Sequence, residues 1–189
     1  MSHYKVIRLM KNSFERALRD FETAKVAKDH KAVKHFEQEL RKYSRVLILE
    51  DDSGFGKIDE AQTVSKQGVG RHLRKALMEL PDDWDMLYFV VHASEPTSKV
   101  SPRLCKLRSS WSLNAYAINY PMYAPLVEHL RKIEDPTVTR VLPVDNEISG
   151  IHHNYKVYAI YPAVVFSQAG PSYITDKDWP LWQDQPKRK

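Results

Sequence analysis

Between His3 and Ser53 the chain contains neither Gly nor Pro, and its apolar residues recur at helical spacing. Phe14, Ala17, Leu18 and Phe21 stand at i, i+3, i+4 and i+7, and Val33, Phe36, Leu40 and Tyr43 continue the pattern. Lys28-Asp29-His30-Lys31 breaks the stripe because it has no large apolar side chain. The segment is therefore expected to form two helices in a hairpin, or one long bent helix. The period then changes. Arg45-Val46-Leu47-Ile48-Leu49 is a short, largely apolar, β-branched run, which predicts a strand buried on both faces of a parallel sheet. It ends in Glu50-Asp51-Asp52 and then Ser53-Gly54-Phe55-Gly56, read as a loop.

Residues 69–80 repeat the helical period, with Val69, Leu73, Ala76, Leu77 and Leu80 inward and Pro81 as the stop. Asp82 to Asp85 read as a turn, and Met86 to Val91 as a second buried strand. The polar stretch 93–110, with Pro96 and Pro102, reads as a mobile loop. Ser112 to Asn119 reads as a strand. Pro121 opens a helix through Leu130, since proline suits the first helical turn. Lys156 to Phe166 reads as a strand pair around Pro162, and Asp176 onward as a loose tail. Alternating strands and helices predict an α/β fold with a mostly parallel sheet.

Composition changes this picture little. At 189 residues, 42% apolar and 28% charged, the chain can bury its own core. No run approaches the ~18 apolar residues that cross a bilayer, and the N-terminus has no apolar signal segment. Cys105 is the single cysteine, so it makes no internal disulfide and is read as structural, consistent with a cytoplasmic setting. Charge is more informative by position. Residues 1–45 hold twelve Lys/Arg against six Asp/Glu, while the whole chain is only +5. Such a basic segment attracts nucleic acid, anionic lipid or phosphorylated substrates, or is simply a solvated helix face.

Three successive carboxylates at a strand's C-terminal end repel one another, and a divalent cation relieves that conflict. In an extended segment residues i and i+2 point the same way, so Glu50 and Asp52 are expected to share one metal. Mg²⁺ or Mn²⁺ held by one or two carboxylates plus phosphate oxygens suits nucleotide chemistry. A merely solvated acidic loop is the plainer reading of the same residues. His152-His153, adjacent on an expected strand, would face opposite ways and make a poor shared metal site.

Val46-Leu47-Ile48-Leu49-Glu50-Asp51-Asp52 resembles the LILEDD block of glycosyltransferase family 25, which builds lipopolysaccharide and collagen sugar chains. Further blocks are similar and follow the family's order. Ser2-His3 looks like its helix-opening Ser-His, Trp84-Asp85-Met86-Leu87-Tyr88 like its Trp-Asp strand, and Trp111–Ala117 like its next strand. Pro143-Val144-Asp145 matches its Pro-Val-Asp, and residues 158–174 resemble its closing block. The resemblance implies a GT-A-like nucleotide-sugar fold and transfer of a hexose, galactose above all, from a UDP-hexose donor to a saccharide acceptor such as lipopolysaccharide. It also implies Glu50 and Asp52 as metal ligands, with Asp51, Trp84, Asp85, Trp111, Tyr116 and Gln168 toward the donor. Asp145 is the implied general base, with Glu147 as its substitute. Asp145 capping the turn before Asn146, and Tyr116 and Trp111 as ordinary core aromatics, are the structural alternatives.

Two departures from the family follow. The resemblance starts at Ser2, so the domain, 1–175 with a basic tail at 176–189, is expected to lack the family's first βα unit. Residues 14–43 then form a helical insertion. The strand Val46–Leu49 or a neighbour is expected at an uncovered sheet edge, and the protein as a homo-oligomer in which residues 14–43 supply the contact or cover that edge. Its basic face is expected to meet an anionic membrane surface from the cytoplasmic side, without specific nucleic-acid recognition. The alternative function is a non-catalytic binding or interaction protein with part of the donor site lost.

Overall fold

The computed structural model describes residues 2–56, 66–90, 98–135, 137–138, 142–167, 170–171 and 178–179. The helices among them are α1 (His3–Val26), α2 (His30–Tyr43), α3 (Lys66–Glu79), α4 (Tyr123–Leu130) and α5 (Val144–Ser149). The strands are β1 (Arg45–Leu49), β2 (Ser53–Phe55), β3 (Met86–Tyr88), β4 (Ser98–Ser101), β5 (Leu104–Lys106), β6 (Ala115–Asn119), β7 (Val157–Ile160), β8 (Val165–Ser167), β9 (Gly170–Pro171) and β10 (Asp178–Trp179). The protein is α/β. Where the sequence reads as one domain over 1–175, the chain groups into two compact units. One comprises Met1–Leu47 with Ala117–Ile148, the other Ile48–Tyr116 with Ser149–Lys189.

In the first unit, α1 and α2 form the hairpin, and two residues decide it against a single bent helix. Lys28 takes the left-handed conformation at φ 54, and its N–H donates to the Lys25 carbonyl at 3.1 Å. The Asp29 N–H donates back to the Ala24 carbonyl at 3.0 Å, which closes a Schellman cap. Asp29 then caps α2, its Oδ1 accepting from the Lys31 and Ala32 amides at 3.1 and 2.9 Å. The inward face of α1 is centred on Tyr4, Ile7, Ala17 and Ala24, with Phe14 and Phe21 half-buried beside it. Leu18, read as inward, is 41% exposed. Phe14 stacks on Tyr120 at 4.3 Å, the Tyr123 hydroxyl donates to the Tyr43 carbonyl, and Met122, Leu126 and Leu130 complete the core.

The sheet runs β1-β6-β3-β7-β5-β4. It is mixed, not mostly parallel. β3 pairs with β7 in parallel, whereas β5 pairs antiparallel with both β7 and β4. The reason lies in the stretch read as a mobile loop, where residues 98–106 fold as the β4–β5 hairpin. Glu79, ending α3, holds that hairpin by accepting from the Ser101 hydroxyl at 2.6 Å and the Arg103 amide at 3.1 Å, and by pairing with the Arg103 guanidinium. Residues 93–97 and Val91 lie outside the described residues.

Met86, Leu87 and Tyr88 are buried on every position of β3, worth about 2 kcal/mol each. β1 differs from its expectation. Its residues alternate exposed and half-buried, with Leu47 at 50% and Leu49 at 46%, because it is the last strand on its side of the sheet. Among the described residues β1 ends the strand order, and the expected burial on both faces does not hold. Ser53–Phe55, read as loop, is β2 paired with β8, so Lys156–Phe166 contains two strands with different partners. Gly56 ends β2 at φ 130, a conformation that side chains disfavour. α3 starts at Lys66, buries Ala76 and leaves Leu77, read as inward, 47% exposed.

Candidate functional site

The carboxylates stand on a turn, not on an extended segment. The Ser53 N–H donates to the Glu50 carbonyl at 3.1 Å, so the chain reverses between β1 and β2. Strand alternation therefore stops at Glu50 and cannot by itself bring Glu50 and Asp52 together, as the sequence argument required. Another residue organises the turn. The Asn114 carbonyl accepts from the Glu50 amide at 2.8 Å and from the Ser53 hydroxyl at 2.5 Å, while its side-chain amide donates to Asp52 Oδ1 at 2.8 Å. Asn114 is itself buried, and the Ser112 hydroxyl donates to its Oδ1. One residue thus fixes both ends of the turn and aims Asp52. Asp51 and Asp52 are exposed and Glu50 is half-buried.

Ser110 and Ser112 are buried on either side of Trp111, which is 60% exposed. The Ser149 hydroxyl accepts from the Ser110 amide at 3.0 Å and lies 3.0 Å from the Ser109 hydroxyl, which anchors this segment at its start. Trp111 is thereby presented outward from the segment that grips the acidic turn. Tyr116 is placed otherwise. It is fully buried in β6 and stacks on Tyr88 with ring centres 5.8 Å apart. Burial raises its hydroxyl well above the usual range, and the Tyr88 and Glu50 charges add to the effect. The Tyr88 hydroxyl in turn contacts His152 Nε2 at 2.9 Å. His152 is fully buried in a short 3₁₀ turn, not a strand, and its Nδ1 has no hydrogen-bond partner among the described residues. Burial, with neighbouring His153 adding, lowers its pKa from 6.5 to about 4.

Trp84 and Asp85 lie at the opposite end of β3 from the acids. Phe89, just past β3, donates its N–H to the Ala115 carbonyl beside Asn114. Asp85 precedes the strand, so roughly 13 Å of strand separates it from Phe89 at ~3.3 Å per residue. Asp85 accepts from the Lys156 amide at 2.8 Å and so pins the start of β7 against β3, and Trp84 is buried. Both serve the sheet in this arrangement and do not join the carboxylate turn.

Asp145 and Glu147 share α5. Asp145 Oδ1 accepts from the Asn146 amide at 2.9 Å, a contact to its immediate neighbour within the first turn of α5. Glu147 is buried and engaged. Its carboxylate pairs with Lys132 Nζ at 2.5 Å, lies 3.3 Å from His129 Nε2, and accepts from the Leu142 amide at 3.2 Å. Burial alone would raise its pKa, but Lys132 and the Leu142 amide outweigh that and hold it below the usual carboxylate value. A carboxylate so held is a weak proton acceptor. Gln168, residues 169 and 172–174 of the closing block, and the tail 176–189 apart from 178–179 lie outside the described residues.

Among known proteins the chain matches no family model and no curated protein.

Among the described residues no three His, Cys, Asp or Glu side chains gather as a protein-only metal cage. A cation held against a diphosphate asks for less, since one or two carboxylates suffice when phosphate oxygens complete the shell. Glu50, Asp51 and Asp52 are hard oxygen donors, two of them exposed and one already oriented by Asn114. The donor set fits Mg²⁺ or Mn²⁺ on that ground. Asn114 and Ser112 are the residues that sequence reading missed. A polar Ser-Leu-Asn immediately before an apolar strand was the available signal.

Proposed function

We propose that the protein is a metal-dependent glycosyltransferase with a GT-A-like fold, moving a hexose, galactose above all, from a nucleotide-sugar donor to a saccharide acceptor. The supporting observation is the Glu50–Ser53 turn at the end of β1, held by Asn114 so that Asp52 is aimed and Asp51 open. Mn²⁺ or Mg²⁺, when bound, supplies Lewis-acid stabilisation of the departing diphosphate. In this reading Asp52 and Glu50 or Asp51 bind the cation, and exposed Trp111 offers a stacking surface to the nucleobase or sugar. The role of Asp145 as the base that takes the acceptor's hydroxyl proton rests on the Pro-Val-Asp resemblance alone; Glu147, tied to Lys132, holds its helix in place instead. β1, last in the strand order among the described residues, is where a second copy would pair, in a protein working on the cytoplasmic side of a membrane.

A second reading has its own support. Trp84 and Asp85 brace the sheet away from the acids and Glu147 is neutralised, which suits a non-catalytic descendant that binds through other surfaces. Calorimetric titration with Mn²⁺ and a panel of nucleotide sugars separates the two. The enzyme reading expects saturable, metal-dependent donor binding that weakens at least tenfold, about 1.4 kcal/mol, in Asp52→Asn. Absence of binding to every donor, or unchanged affinity in Asp52→Asn, refutes it.

A further inference from the structure

Along α1, Lys5, Arg8, Asn12, Arg16, Arg19 and Thr23 advance by steps of three or four residues, and all six are exposed. At 3.6 residues per turn that spacing holds one straight face. It lies opposite the side on which Ala17 and Ala24 are buried and Phe14 stacks on Tyr120. The face carries four cations and no carboxylate; Arg8 is already engaged, its guanidinium 5.2 Å over the Tyr4 ring, so the attraction falls to Lys5, Arg16 and Arg19. Acidic residues of α1 are set beside it, and two of them are engaged elsewhere: Glu15 with Lys11 at 2.7 Å and Glu22 with Lys25 at 3.7 Å. From Lys5 to Arg19 the row is about 21 Å long at 1.5 Å per residue.

We infer that this face of α1 docks the protein on an anionic lipid surface, with the helix lying in the plane of the headgroups. Charge complementarity supplies the attraction: a row of cations undiluted by acids meets a continuous field of phosphates, not a single anion. Two features favour lipid over nucleic acid. Leu9, 56% exposed, and Val26, 85% exposed, flank the row, and a headgroup–acyl boundary gives such side chains somewhere to go, whereas a phosphate backbone does not. Moreover, no exposed aromatic of the described residues belongs to α1, so the face offers nothing for bases to stack on. The inference does not depend on the metal site or on turnover. It concerns where the chain is held.

The test is co-sedimentation of the full chain with phosphatidylcholine vesicles containing 0 or about 30% phosphatidylglycerol, across a salt series. The expected result is partitioning that rises with the anionic lipid and falls with salt. Arg16→Gln with Arg19→Gln should cut it about thirtyfold, the ratio for two contacts at ~1 kcal/mol each. Lys11→Gln with Lys25→Gln removes the same charge from side chains already paired and should change it less than about threefold, under half a tenfold step. All four sites are on a solvent-facing helix, and circular dichroism checks that each variant is folded. Equal binding to neutral and anionic vesicles overturns the inference. So do equal losses in the two double variants, which would mean that bulk charge alone acts, and so does salt-sensitive capture of a single-stranded oligonucleotide by protein that ignores vesicles.

Discussion

Lowering the pH should destabilise this protein through His152 in particular. Its ring lies in the core of the second unit, with Nε2 against the Tyr88 hydroxyl at 2.9 Å and Nδ1 facing no partner among the described residues. In either neutral tautomer Nδ1 costs one unmade hydrogen bond. Protonation makes both nitrogens donors, so it places an N–H and a charge where no acceptor waits. The folded-state pKa falls accordingly to about 4, against 6.5 for an ordinary histidine. The unfolded chain therefore binds the proton more readily, and stability present above pH 6.5 is lost as the pH falls toward 4. Linkage gives about 2 kcal/mol lost between pH 7 and pH 5 and about 3 kcal/mol by pH 4 from this group alone. Other groups titrate over the same range, so the measurement is a difference. Urea denaturation of the wild type and of His152→Gln, which keeps an amide near Tyr88 and cannot ionise, should give curves whose separation closes by that amount on acidification. Parallel pH profiles for the two proteins would show that His152 is not a buried neutral base, and the account of the Tyr88–His152 pair would fall with it.

Three further outcomes follow from local geometry. Lys28→Gly should raise stability by about 0.5–1 kcal/mol in chemical denaturation, because Lys28 holds φ 54 at the hairpin turn where glycine meets no steric penalty. A loss of stability there would mean that the turn is not strained by its side chain. Glu147→Gln should cost about 2 kcal/mol by unpairing half-exposed Lys132, and since Glu147 titrates below the usual carboxylate value, its contribution should be present above pH ~4.5 and fade below it. Equal stability of variant and wild type at pH 7 would remove that role. Asn114→Ala should weaken Mn²⁺ binding about tenfold, the worth of one hydrogen bond to a charged group, whereas Ser53→Ala, which removes only a scaffold bond, should leave affinity nearly unchanged. Equal losses in the two would mean that Asn114 acts only by stabilising the turn.

Periodicity settled the elements that bury a continuous face. Both helices of residues 3–43, the strand at 45–49, the buried strand from Met86 and the helix after Pro121 are all legible as repeats of 3.6 or as short apolar runs. The end of α1 was legible only as a gap in the stripe, since the choice between hairpin and bent helix rests on one left-handed residue and one cap. Where pairing partners are distant in the chain, sequence pattern could not decide. Ser53–Phe55 becomes a strand because β8 lies beside it, and polar 98–106 becomes a hairpin because Glu79 holds its turn. β1 looks apolar enough for the middle of a sheet, yet stands last in the order, because an apolar run records what a strand can bury and not how many neighbours it receives. The candidate site divides in the same way. The three carboxylates are visible in the chain as a local charge conflict. Their aim is not, because it comes from Asn114, sixty-two residues from Asp52, and only folding brings that side chain within hydrogen-bonding distance.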